Sequence, residues 1–263
     1  MTVLPAALTV DASYDLLVTF LLVMGRILAF LVIAPPFNSR SVNMRAKGTL
    51  AAAMALAVTP TVAGSASFPD MGTLVWATVY HVGTGAVMGY LMLMLFSAVQ
   101  AAGDLIDLFS MFTMSQLFDP MSNSSSGVFG RIQNLVGLTL LFASGGHLLV
   151  LRGVVTSFEV LPVHAPSLGQ VAEKLVHNLD VFFVSALEIS GPVLVVLVLA
   201  DLALGLVSRA VPSLNIFQLS FPVKTILTVA LASVAVSLLP GAVALLMGRV
   251  VTDMAPLSRL LGG

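Results

Sequence analysis

From Met71 to Gly103 the chain carries no Asp, Glu, Lys or Arg, the longest such run in its 263 residues. About 20 mostly apolar residues suffice for a helix to cross the hydrocarbon core of a bilayer. Inside lipid every backbone N–H and C=O needs an internal partner, which leaves helices and closed barrels. The alternating pattern of a barrel strand is missing from the chain. The run therefore predicts a membrane helix.

The rest of the chain agrees. Some 58% of residues are hydrophobic and 9% charged, against about a quarter charged in a soluble domain. That excludes an ordinary globular protein and a disordered one. A net charge of −1 offers no field for nucleic acid. The absence of cysteine removes disulfides, thiolate catalysis and Cys-ligated metal. His81, His147, His164 and His177 are scattered and lack metal-ligand spacing. Neither metal nor cofactor is expected. Asp11 and Asp15, and no Lys or Arg, precede the first apolar run. It therefore reads as a retained membrane helix and not as a cleavable signal.

Six candidate spans emerge from the hydropathy pattern: Tyr14–Pro35, Gly48–Gly64, Thr73–Ala102, Ile132–Leu151, Val181–Val207 and Thr225–Gly248. The fold class is an all-α integral membrane protein of about six hydrophobic, partly kinked helices. Arg40, Arg45 and Lys47 after span one, and Arg209 and Lys224 after span five, put those loops on the cytoplasmic side. Arg249 and Arg259 count against that orientation. Arg26, Glu188 and Asp201 fall at membrane depth, where a charge costs roughly 2–3 kcal/mol or more unless paired or wetted. Each is either a member of a buried ion pair or a snorkelling end, or a group facing protein neighbours or a water-filled channel. Gly85 and Gly89 are spaced for close helix approach. Pro192 and Pro240 imply kinks or breaks.

Between spans three and four lies Ala101–Pro120, AAGDLIDLFSMFTMSQLFDP. Asp104 and Asp107 are three residues apart. Phe109, Met111, Phe112, Met114, Leu117 and Phe118 come next, and Asp119-Pro120 stops the pattern. Helical spacing groups Leu105, Leu108, Phe109 and Phe112 on one face, with Asp104, Asp107, Met111 and Met114 beside it. Ser122–Gly127 is a flexible composition. Two readings compete. One is a packed helix end. The other is a movable apolar obstruction in a pore, for which bulky, adaptable Met and Phe are suited.

No catalytic constellation is present. Asp104 and Asp107 share a helical face, but no His or Glu nearby completes a site. His147, after Gly145-Gly146, reads as a core histidine before a proton carrier. An enzyme is not expected. A multipass secondary transporter or small-solute permease is the main alternative; it needs a polar midplane site and often an internal repeat, and no convincing repeat is found.

Four ordered landmarks, over about residues 20–240, resemble one family. They are Gly25–Phe37 (GRILAFLVIAPPF), the glycine-spaced third span leading into AGDLIDLFSMF and Phe118-Asp119-Pro120, Gly145-Gly146-His147 with Ser157-Phe158 and Pro162, and Arg209–Lys224 (RAVPSLNIFQLSFPVK). Together they resemble the FliR family of flagellar export proteins, whose relatives serve in virulence-type type III secretion. The pattern departs at His81, where the family usually has Glu, at Met111, where it has Gly, and at Ser213, where it has Gln.

The resemblance implies a subunit of the type III protein export gate. Its channel would form with FliP and FliQ, near FlhB and FlhA, in the bacterial inner membrane at the flagellar basal body. Unfolded export substrates would pass through it. Residues 1–180 would be the FliP-like part and 181–263 a FliQ-like hairpin. The family's plug corresponds to about Asp107–Ser115, within a loop of about 104–120, so Phe109, Met111, Phe112, Met114 and Phe118 would close the channel. Asp104, Asp107, Arg26, Glu188 and Asp201 would serve helix ends and subunit contacts. Arg209, Pro212, Asn215 and Lys224 would mark the cytoplasmic hairpin turn. The assembled complex would sit largely above the membrane plane.

Overall fold

The computed structural model describes residues 6–39, 42–62, 70–112, 127–160, 168–211, 213 and 215–262. Met114, Phe118, Pro212 and Ser122–Ser126, all named among the expectations, lie outside them. The described residues form seven helices: α1 Ala6–Ile33, α2 Met44–Val62, α3 Met71–Phe109, α4 Val128–Ala143, α5 Gly146–Val160, α6 Leu168–Ala210 and α7 Ile216–Gly262. None of the described residues is in a strand. The all-α membrane class expected from hydropathy holds.

Local chemistry sets the helix ends. α1 stops at Pro35-Pro36, which cannot donate to a continuing helix. Asn43 starts α2, its Oδ1 accepting the Arg45 amide at 3.1 Å. Asp70 starts α3 in the same way, accepting the Thr73 amide at 2.8 Å. The Thr73 hydroxyl and amide hold the exposed Asp70 carboxyl below its usual range. Asn215 opens α7, its carbonyl accepting the amides of Gln218 and Leu219.

α1, α3, α6 and α7 contain segments long and apolar enough to cross a membrane, and α4 with α5 makes a fifth if the broken pair counts once. Hydropathy along the sequence suggests six spans. The second of these falls on α2, which does not qualify by itself. Arg45 and Lys47 occupy its first turn, and Thr59, Pro60 and Thr61 dilute its end. The fourth, Ile132–Leu151, is not continuous. It breaks at Ser144-Gly145, where Gly145 has φ +72°, a conformation that glycine adopts without steric cost. Pro192 and Pro240, in contrast, do not interrupt α6 and α7.

The chain divides into two compact units. The first comprises residues 1–93, 146–177 and 248–263, and the second 94–145 and 178–247. In the first, α1 and α3 run parallel: Val18 and Leu22 pack on Leu74 and Ala77, Gly85 on Arg26, and Gly89 on Phe30 and Ile33. Two parallel neighbours need a returning element between them, and α2, packed on α1, supplies it. α2 thus matches the second predicted span by topology although its composition falls short. In the second unit, the end of α3 runs antiparallel to α4, and α6 runs antiparallel to α7. Ile106, Phe129, Val193, Leu197 and Ala235 form the shared core.

Candidate functional site

The two aspartates singled out in the sequence lie where α3 crosses the start of α4. The first amides of a helix lack intrahelical acceptors, and the residue before α4 is Gly127, which has no side chain to supply one. Asp104 and Asp107 do so from 23 residues away. The Gly127 amide donates to Asp104 Oδ1 at 3.3 Å, and the Gly130 amide to Asp107 Oδ2 at 3.0 Å. Both carboxylates also sit at the positive end of the α4 dipole. Asp107 is 0% exposed. The Gly130 bond offsets part of a burial that would be expensive for an unpaired acid, while Asp107 Oδ1 has no hydrogen-bond partner.

Glycine allows the approach. A Cβ on Gly103 would lie 2.6 Å from Gly130 Cα. A Cβ on Gly127 or Gly130 would collide with the carboxylates of Asp107 and Asp104 respectively. One turn further along, Asn134 Nδ2 donates to Gln100 Oε1 at 3.2 Å, and Gly137 then meets Val99. The crossing is therefore a polar zipper at its mouth and apolar behind it.

A second tie holds the other side of the same helix end. Lys224 of α7, 4% exposed, forms an ion pair with Asp201 of α6 and donates to the Phe109 carbonyl at 3.1 Å. That carbonyl is among the last in α3, where the helix lacks its own donors and favours a cation. Three helices thus meet at one ammonium group. Ser110 Oγ donates to the Asp107 carbonyl at 3.1 Å and closes the last turn.

Beyond this foot the chain turns sharply. Met111 adopts φ +67°, and it is the described non-glycine residue with positive φ. A left-handed residue is the usual helix terminator, and glycine is the favoured type there. The predicted helical face reaching Phe112 therefore ends at Phe109. The buried stripe is Ala102, Gly103, Ile106, Asp107 and Ser110, while Leu108 is exposed. Asp107 faces inward because it serves α4. Phe109 and Phe112 are half-buried against the shared core, with the Phe112 ring 5.7 Å edge-to-face from Phe129.

The remaining candidates are dispersed. Arg26 lies in the first unit, 0% exposed. It donates to Ser157 Oγ and carbonyl at 3.3 Å and stacks over Phe158 at 4.3 Å, and its Nε and Nη2 have no hydrogen-bond partner. His81 stacks on the same Phe158 ring. Glu188 is exposed on α6 and joins none of these contacts. α6 ends at Ala210 and α7 starts at Ile216, which leaves Arg209 exposed in the last turn of α6 and Lys224 inside α7. Among the described residues no three metal-ligating side chains come together.

Sequence reasoning found the aspartates but not their partners. The signal was present: Asp104 and Asp107 are three apart, and so are Gly127 and Gly130. The Lys224 tie had no local signature.

These features define a multispan helical membrane protein in which buried polar groups hold helix ends together. Residues 17–250 match the model of the family described as bacterial export proteins, family 1. The chain belongs to this family, the FliR/SctT-like export-apparatus proteins. It is 30% identical over 211 residues to the flagellar biosynthetic protein FliR of Escherichia coli (strain K12), covering 80% of each chain. It is also 30% identical over 218 residues to FliR of Bacillus subtilis (strain 168), covering 81% of this chain and 84% of the other. The Yop proteins translocation protein T of Yersinia pestis is 27% identical over 215 residues, covering 80% and 82%.

Proposed function

We propose that this protein is a subunit of a type III protein export gate in the bacterial inner membrane. Its channel is built with FliP-like and FliQ-like partners, with FlhB and FlhA as further neighbours. Residues 1–180 act as the FliP-like part and 181–263 as the FliQ-like hairpin. Unfolded flagellar proteins are the cargo. Phe109, Met111, Phe112, Met114 and Phe118 close the passage at rest.

One observation carries this reading. The bulky apolar run starts from a foot fastened on both sides, by Asp104 and Asp107 to α4 and by Lys224 to the Phe109 carbonyl. A seal needs a fixed base and a deformable tip. Met and Phe give the tip bulk and adaptability, and an apolar constriction stops ions by excluding water. Cargo would displace the tip while the foot stays in place.

The test is ion conductance through the complete gate complex in membranes. The double variant Phe112→Ala, Met114→Ala removes bulk from the tip and is expected to raise resting leakage, with complex abundance unchanged. Leakage equal to that of the wild type, at equal abundance, would overturn the plug. Co-purification with two small helical membrane proteins tests the assembly separately.

A further inference from the structure

Away from the plug, the α6–α7 hairpin contains a crevice of about 240 Å³. Ser185, Glu188 and Pro192 of α6 face Leu238, Gly241 and Leu245 of α7 across it. Its origin is local. Gly241 has nothing within 4 Å of where a Cβ would stand, so one wall is missing a side chain. Pro192 has no N–H, so the carbonyl of Glu188 loses its helical donor.

The polar groups that result are mostly acceptors. They are the Glu188 carboxylate, the freed Glu188 carbonyl and the hydroxyl of Ser185, which is 3% exposed and has no hydrogen-bond partner. Glu188 lies inside the candidate span Val176–Ala210. It is twelve residues from the span's start, about 18 Å along by helical rise. A carboxylate on an apolar helix face is costly to cover unless paired. Val184, Leu187 and Val195 around it are exposed and apolar.

We infer that this crevice is a docking site for a lysine or arginine side chain carried on an apolar helix of a different subunit. The charge asks for a cation with several donors. The volume lies below the range of about 300–1,000 Å³ typical of small-molecule sites and suits an inserted side chain. The exposed apolar rim suits a helix and not a free solute. A second copy of the chain is less well equipped: its four long spans carry the buried Arg26 and Lys224, plus Arg209 and Arg249 at the span ends, and the broken pair α4–α5 adds Arg131 and Arg152. The inference rests on the protein working inside an assembly, as proposed above, but not on the plug.

The experiment places a photocrosslinking phenylalanine analogue at Leu245 of the full chain in cells that make the whole gate, and sequences the adducts. The expected adduct is a peptide from an apolar helix of another subunit, with Lys or Arg within a turn of the crosslink. Glu188→Gln is expected to lower its yield about tenfold, as loss of one partner of a desolvated pair does. Glu188→Lys combined with Glu at the partner's basic position is expected to restore it. Adducts to lipid or to a second copy, or an undiminished yield in Glu188→Gln, would overturn the docking site. Resting leakage in the same cells reports on the plug separately, so the two ideas fail independently.

Discussion

α3 crosses a neighbour twice, and the two crossings are built differently. In the first unit, Gly85 and Gly89 let α3 lie on α1, with a Cβ at Gly85 excluded by the Arg26 carbonyl. That contact is mainly small-residue packing, which replaces hydrophobic driving force between membrane helices, with the Arg26 guanidinium 6.0 Å from the Tyr80 ring beside it. In the second unit, Gly103 lies on Gly130 just as closely, but Asp104 and Asp107 add bonds to the amides of α4. A contact made by shape can slide by a fraction of a turn and remain a contact. One made by two carboxylates to two specific amides holds a single register. The first crossing is structural, and the second fixes the position from which the proposed plug emerges.

The largest effect should come from filling the glycine contacts. Gly85→Ala and Gly103→Ala each push a methyl group into backbone, which cannot move aside as a side chain can. Each is expected to cost about 3 kcal/mol of stability, the upper part of the range for overpacking. Thermal unfolding of the chain in detergent measures it. The two variants should part in function. At equal complex abundance, Gly103→Ala should raise resting leakage and Gly85→Ala should not. Equal leakage from both would erase the proposed distinction.

Next in size is the loss of a carboxylate. Asp107→Ala leaves the Gly130 amide unpaired at a helix start, a change worth about 1–2 kcal/mol at such positions. The fall in unfolding temperature should be larger than for Asp104→Ala, because Asp104 is only half-buried and its bond is longer. Leakage should rise with both. A variant pair with normal unfolding and normal leakage would reduce the second crossing to the same kind as the first.

How far these crossings can be read from the chain differs in the same way. Gly85 and Gly89 are a spacing on one helix, so periodicity reveals them. It also reveals the apolar runs, which fall on α1, α3, α6 and α7. Asp104 and Asp107 stand out by type and spacing, but their partners lie on another helix, and pairing through space leaves no periodic trace. Lys224 is harder still. It reads as a hairpin-turn residue because cations usually mark loops, yet it is buried against Asp201 and the end of α3. The break at Gly145 is hidden because apolar neighbours continue the hydropathy signal through a glycine that changes the backbone direction.

The smallest predicted effect concerns Met111, and it sets the second crossing apart from the first by a strained residue at its end. Met111 adopts a left-handed conformation, which costs an L-residue roughly 1–2 kcal/mol and glycine almost nothing. Glycine also loses more chain entropy on folding, which takes back part of the gain. Met111→Gly should therefore stabilise the chain by about 1 kcal/mol relative to Met111→Ala. Both variants lack the methionine side chain, so their difference isolates the backbone. Unfolding temperatures in detergent decide the sign. If Met111→Ala proves the more stable of the two, the turn after Phe109 is not held in that conformation. The bonds to Asp107 and Lys224 would then anchor the end of α3 without setting the direction in which the chain leaves it.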